Sequence, residues 1–139
     1  MTLQETLNSR DKFARKSGVV LTETGEGHAT AVMTVTADHL NAGGVCQGGA
    51  LFTLADLALA AVMNSHGKLT FGIESQITFL HSAFEGDVLT AEAKEIYNHH
   101  RIPYCEVKIR NQHDRLVCVM TGLAFRKDQP FGGEEQEGK

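Results

Sequence analysis

At 139 residues, 42% hydrophobic and 22% charged, the chain has the size and composition of one globular domain whose core folds without staples. A net charge of −4, with no basic stripe carrying interleaved aromatics, excludes a general nucleic-acid binder. Three cysteines, Cys46, Cys105 and Cys118, odd in number and without a CxxC pair, support neither a disulfide framework nor a zinc site. The polar N-terminus lacks the apolar core of a signal segment. The longest apolar run is interrupted by Thr53 and Asp56 and is too short to span a bilayer, so the expectation is a soluble protein of the reducing cytoplasm without a membrane partner.

Leu3, Leu7, Phe13 and Ala14 have a helical spacing that breaks at Gly18, predicting a short surface helix over 3–16. His28 to Ala37, HATAVMTVTA, alternates apolar and hydroxyl residues rich in β-branching and reads as a half-buried strand. The loop ADHLNAGGVCQ follows. Gly48 to Asn64 is too long for a strand, free of proline and filled with Ala and Leu, which predicts a helix, with Gly67 as its stop. Leu51, Phe52, Leu54, Leu57, Leu59 and Met63 spread around its circumference, the mark of a helix enclosed by other structure.

Four more strands are expected at Phe71 to Ser82, Val88 to Tyr97, Tyr104 to Asn111 and Leu116 to Phe125. The turns between them are signalled by Glu85-Gly86-Asp87, Asn98 to Pro103 and Gln112-His113-Asp114. Five strands, one apolar helix and no βαβ alternation predict a single α+β domain over 1–127, in which a five-stranded, mostly antiparallel sheet wraps one long central helix. The Gly- and Glu-rich segment 128–139 is expected to be a disordered tail.

Between Asp38 and Lys68 the only charged side chain is Asp56, set among Leu54, Ala55, Leu57 and Ala58. An ionised group in such surroundings is costly unless compensated, which makes Asp56 a candidate reactive carboxylate. The alternative is that it points out of the apolar face into solvent or caps a neighbouring loop. Gly43, Gly44, Gly48 and Gly49 do not have the spacing of a phosphate-binding loop. A helix starting at Gly48 and Gly49 would present unsatisfied N–H groups suited to an oxyanion hole, or the glycines merely permit a tight entry turn.

Gly49 and Asp56 are seven residues apart, hence on one face but roughly 10 Å apart along the axis. A base and an oxyanion donor serving one carbonyl must both come within about 3 to 4 Å of the reacting atoms. If both act, the simplest geometry is two antiparallel copies of the helix across a homodimer, with two composite sites.

Asn41, the loop to Gln47-Gly48-Gly49, LFTLADLALA and ITFLHSAFEGDVLTAEAK together resemble the hotdog-fold thioesterases, above all the PaaI-like acyl-CoA thioesterase branch, over roughly Val20 to Lys127. The resemblance implies a hotdog fold, dimers that pair into homotetramers, an acyl-CoA substrate and no metal or cofactor beyond the coenzyme A of that substrate. It implies that Asp56 is nucleophile or general base, that Gly48, with Gly49 adjacent, polarises the thioester carbonyl, and that Asn41 orients water and substrate. Gln47 stands where the branch usually has histidine; it can donate an amide N–H but holds no titratable proton. Gly72 stands where a small hydroxyl residue is frequent, with Ser75 as a possible substitute.

Phe52, Met63 and Phe71 are candidates for the acyl-binding wall, each with ordinary core packing as the alternative. His99, His100 and Arg101 form the one compact basic cluster, either a solvated turn or a binding site for the coenzyme A phosphates. Cys46 reads as a small buried filler, and His28, His39, His66, His81 and His113 lack metal-ligand spacing. Three functions follow in order: an aryl- or medium-chain acyl-CoA thioesterase, a non-catalytic acyl-CoA-binding protein, and a hydratase or dehydratase lacking its histidine.

Overall fold

The computed structural model describes residues 1–132. Two short helices, α1 (Leu3–Arg10) and α2 (Lys12–Lys16), precede the hairpin β1 (Val20–Gly25) and β2 (His28–Thr34). A 3-10 turn (Ala37–His39) and a loop lead to the long helix α3 (Gly48–Met63). Then come β3 (Lys68–Phe79), β4 (Val88–Tyr97), β5 (Tyr104–Arg110) and β6 (Leu116–Pro130). The strands form one wholly antiparallel sheet in the order β1-β2-β4-β5-β6-β3.

The sheet has six strands, not five. The additional one, β1, is a bulged edge strand on which only Leu21 is buried, so its sequence VLTETG carries almost no alternation to detect. The N-terminal helix is two helices, because Asp11 closes α1 with its backbone N–H on the Leu7 carbonyl and opens α2 by accepting the Ala14 N–H on its side chain. β6 runs on to Pro130, so the first residues assigned to a tail lengthen a strand; 133–139 lie outside the described residues.

α3 lies against the sheet through Leu54, Ala55, Leu57, Ala58, Leu59 and Ala61, all at most 2% exposed. Small residues on the strands beneath make the close approach possible. Ala29 faces Ala93 and Ala31 faces Ala91 across β2 and β4, and a β-carbon on Gly122 would come within 2.5 Å of the Leu59 side chain. The helix is nevertheless not enclosed on every face. Gly49 and Asp56 are exposed and Phe52, Thr53 and Ala60 half-buried, which leaves one stripe of α3 open along its length.

At the opposite end of the sheet from β1, β3 is a twelve-residue strand with one unpaired edge, and Phe71, Ile73 and Phe79 on it are exposed.

Candidate active site

The loop before α3 is held by its own backbone and by Asn41. The Asn41 side-chain oxygen accepts the N–H groups of Gly43 (2.9 Å) and Val45 (3.2 Å), and its backbone N–H donates to the Val45 carbonyl. Asn41 therefore shapes the loop with its oxygen, and its side-chain N–H groups make no hydrogen bond among the described residues. Cys46 and Gln47 are pinned by N–H bonds to the carbonyls of Ala83 and His39.

Gln47 is the N-cap of α3 but does not cap it with its side chain. Its carbonyl takes the N–H groups of Ala50 and Leu51. The N–H groups of Gly48 and Gly49, and the Gln47 side chain, make no hydrogen bond among the described residues. Two backbone donors at the positive end of a sixteen-residue helix are thus available to a developing negative charge.

The glycines serve sterically as well. A β-carbon on Gly48 would meet the Phe79 ring at 2.9 Å, and one on Gly49 would meet the Gln47 side-chain oxygen at 2.5 Å. Two cavities flank this helix end. One, of about 380 Å³, is bounded by Asn41, Gly48, Leu51, Phe79, Leu80 and His81. The other, of about 330 Å³, is bounded by Gln47, Gly49, Thr53, His39 and, from α2, Phe13. The residues expected to act together are thus divided between two sides of the helix.

Two turns on, Asp56 reaches solvent on the open stripe, with neither hydrogen bond nor ion pair among the described residues. The reading in which it caps a loop does not hold. The apolar protein crowding its flanks strips part of its hydration and pushes its carboxyl above the usual carboxylate range, and the negative charge of Asp11 adds to this. A carboxylate raised by its surroundings, unpaired and accessible, is suited to take a proton or attack a carbonyl.

The expected acyl wall is largely elsewhere. Met63 is a core residue, 3% exposed, with its methyl directed at Gly122. Phe71 is exposed opposite Phe125 and carries the Lys127 ammonium 5.7 Å above its ring. Phe52 lies half-buried on the open stripe. At the helix N-terminus the apolar surface comes instead from Leu51, Phe79 and Leu80 on one side and Phe13 on the other. Sequence reasoning missed these; for Phe79 and Leu80 the signal was the apolar end of β3, and for Phe13 its place one residue inside α2, on the side away from buried Ala14. Gly72 and Ser75 stand on β3, where the register breaks just after Gly72, and the Ser75 hydroxyl makes no hydrogen bond among the described residues.

The basic cluster is more committed than its sequence suggests. His99 accepts the N–H groups of Arg101 (3.0 Å) and Ile102 (3.1 Å) on Nδ1, so its ring serves as the acceptor of the turn. His100 stacks on it at 4.5 Å. Arg101 grips both oxygens of Asp128, at 3.0 and 2.7 Å, and donates to the Arg126 carbonyl.

Burial pushes the thiols of Cys46, Cys105 and Cys118 up to about 11, 12 and 12, which removes them as nucleophiles. No group of three or more His, Cys, Asp or Glu among the described residues could hold a metal ion, and no described helix is long and apolar enough to cross a membrane.

Residues 43–118, which include Gly48, Gly49, Asp56 and most of the sheet, match the family model described as Thioesterase superfamily. The chain belongs to the thioesterase superfamily. Its relatives include the Acyl-coenzyme A thioesterase PaaI of Escherichia coli, 36% identical over 124 residues and covering 89% of both chains. The solved structure of the E. coli PaaI protein from the phenylacetic acid degradation operon superposes with a TM-score of 0.86 at 32% identity, over 93% of this chain and 99% of that one. A hypothetical thioesterase of Streptococcus pneumoniae, solved with coenzyme A, superposes with a TM-score of 0.77 at 29% identity, over 81% and 90%. This thioesterase is accordingly a PaaI-like hotdog enzyme of the thioester hydrolase class. The matched segment leaves out α1, α2, β1, β2 and most of β6, whereas the likeness to the E. coli PaaI structure extends over 93% of the chain.

Proposed function

We propose that the chain hydrolyses aryl- or medium-chain acyl-CoA thioesters to the free acid and coenzyme A. The observation that carries the proposal is that α3 bears both an unpartnered carboxylate of raised proton affinity, Asp56, and, at its N-terminus, two unused backbone donors, Gly48 and Gly49. The acyl-CoA substrate is suggested by the PaaI relative and by the pneumococcal neighbour that holds coenzyme A.

The thioester carbonyl oxygen points at the Gly48 and Gly49 N–H groups, where one such donor is worth about 3 to 4 kcal/mol at the tetrahedral stage. Asp56 either takes the proton of an attacking water or attacks the carbonyl itself; general-base assistance supplies about 10²- to 10⁴-fold. Gln47 donates its amide to the carbonyl or the pantetheine chain, and Asn41 orients the water with its unused N–H groups. The acyl group packs against Phe52 and the apolar residues beside the helix end. Coenzyme A phosphates reach Arg101 by displacing Asp128.

One helix cannot bring both ends of this machinery to one carbonyl, since Gly49 and Asp56 are roughly 10 Å apart along its axis. A homodimer resolves this. The unpaired, apolar edge of β3 pairs with β3 of a second copy, the standard fate of a long uncovered edge. This sets the two open α3 stripes against each other antiparallel, and each copy lends a carboxylate to the other's oxyanion hole. Two dimers pair into a tetramer. Gln47, unable to relay a proton, favours as a second reading a protein that binds acyl-CoA without turnover.

Thiol release from benzoyl-, phenylacetyl-, hexanoyl- and palmitoyl-CoA, wild type against Asp56→Asn, tests the proposal. Release by the wild type that the substitution abolishes supports it. Binding of all four without release by the wild type overturns it in favour of the second reading.

A further inference from the structure

The N-terminal helices lie against the same side of α3 as the proposed machinery, and they are fixed there at both ends. At one end Asn8 of α1 holds β1, its side-chain amide donating to the Leu21 carbonyl at 3.0 Å and its side-chain oxygen accepting the Leu21 N–H at 2.9 Å. At the other, His39 donates from Nε2 to the Ser17 carbonyl at 2.7 Å, while its Nδ1 accepts the Thr36 N–H at 2.9 Å, which defines the tautomer. The stretch between these anchors carries Phe13. Its neighbour Ala14 is buried, whereas Phe13 is 71% exposed and contributes little to the core.

The Phe13 ring has a second role open to it. It lines the cavity of about 330 Å³ that also contains Gln47, Gly49 and Thr53. The cavity thus combines an unused backbone donor and an unused side-chain amide with an aromatic wall, the composition of a site that orients a ligand by a few polar groups and holds its apolar part against a hydrophobic surface.

We infer that Phe13 is a specificity-determining residue, forming the wall against which the apolar acyl group of the substrate packs while the thioester carbonyl meets the Gly49 end of the helix. The inference rests on the thioesterase reading for the identity of the ligand. Anchoring by Asn8 and His39 fixes the backbone that carries the ring before substrate arrives, so part of the ordering cost of binding is already met. The selectivity it confers is for bulk: an acetyl group is too small to use the wall, whereas a hexanoyl chain or a benzoyl ring covers it.

The test is equilibrium binding of acetyl-, hexanoyl- and benzoyl-CoA to the full chain in an Asp56→Asn background, which prevents turnover during titration, with and without Phe13→Ala. Phe13→Trp and the oligomeric mass are measured alongside. Removing the ring is expected to reduce the preference for hexanoyl- and benzoyl-CoA over acetyl-CoA by about 10-fold, the scale of losing one apolar side-chain contact, and Phe13→Trp is expected to keep that preference.

An equal loss for all three ligands, or a fall in oligomeric mass with the preference intact, would overturn the inference and make Phe13 an interface residue. Selective binding by a wild type that releases no thiol would sink the hydrolytic function while leaving the role of Phe13 standing. Absence of binding by any of the three would sink both.

Discussion

The Phe79 ring stands over the α-carbon of Gly48, in the space that a β-carbon there would need, 2.9 Å from the ring's Cζ. This contact decides the sign of a substitution that propensity alone would misjudge. Alanine is ordinarily better than glycine in a helix by about 1 kcal/mol, but here it must first move an aromatic ring. Gly48→Ala is expected to lower Tm, and adding Phe79→Leu is expected to recover it, as read by thermal denaturation of the two variants. Recovery without the second substitution would mean that the ring yields freely.

Asp56 links activity to pH and stability in opposite directions. Its carboxyl is raised above the ordinary range by lost hydration and then by Asp11, so in the proposed role, nucleophile or base, which needs the ionised form, it loses function at a higher pH than an ordinary carboxylate would. The acid limb of kcat/KM should be displaced upward. Asp11→Asn keeps an N-cap residue for α2 but removes the charge, and should move that limb to lower pH without lowering Tm.

In the window between the ordinary value and the raised one, the folded chain binds more protons than the unfolded chain. Stability therefore falls as pH rises through that window. Asp56→Asn should abolish most of the activity, about 10²- to 10⁴-fold, yet raise Tm at neutral pH.

Asp128 occupies the guanidinium that the phosphates of coenzyme A would use, and the Arg101 guanidinium in turn holds its carboxyl below the usual range, ionised at neutral pH. Asp128→Asn is expected to lower KM for acyl-CoA several-fold at low salt and to leave KM for an acyl-pantetheine, which lacks the nucleotide, as it was. Equal effects on both substrates would remove the turn from the binding site.

The unpaired β3 edge carries Ile73 at 57% exposure. A charge there should prevent association. Ile73→Lys is expected to yield monomers by light scattering and, under the proposed arrangement in which each site takes parts from two copies, to abolish thiol release while far-UV circular dichroism stays native. Active monomers would refute the composite site.

Elements whose signal is local were legible in the sequence. α3 was predicted to within a residue, because an Ala- and Leu-rich run without proline has few alternatives, and β4 agreed at both ends, because its alternation is clean and its flanking turns are polar. β1 was not, since an edge strand with a single buried residue has no period to show.

At the site the sequence could nominate Asp56, Gly48 and Gly49 from residue type and spacing. It could not show that Met63 turns into the core, that His99 spends its ring on two backbone N–H groups, or that Arg101 is already gripped by a residue 27 positions away. These are facts of side-chain direction and long-range pairing, which no window along the chain contains. The open stripe on α3 was hidden for a related reason: Phe52 and Ala60 on it are as apolar as the residues that face the sheet, so the helix has an apolar circumference whether or not every side is covered within the chain.

Hydrolysis of a thioester sets free a thiol at every turnover, and once that thiol is oxidised to its disulfide a protein cysteine can attack it as the thiolate, forming a mixed disulfide and expelling one thiolate. The three cysteines of this chain are all buried and held protonated far above neutral pH. Cys46, although it is one residue from the helix end where the product would leave, is thereby kept out of mixed disulfides with that product, and the enzyme can work in its own thiol effluent without being modified by it.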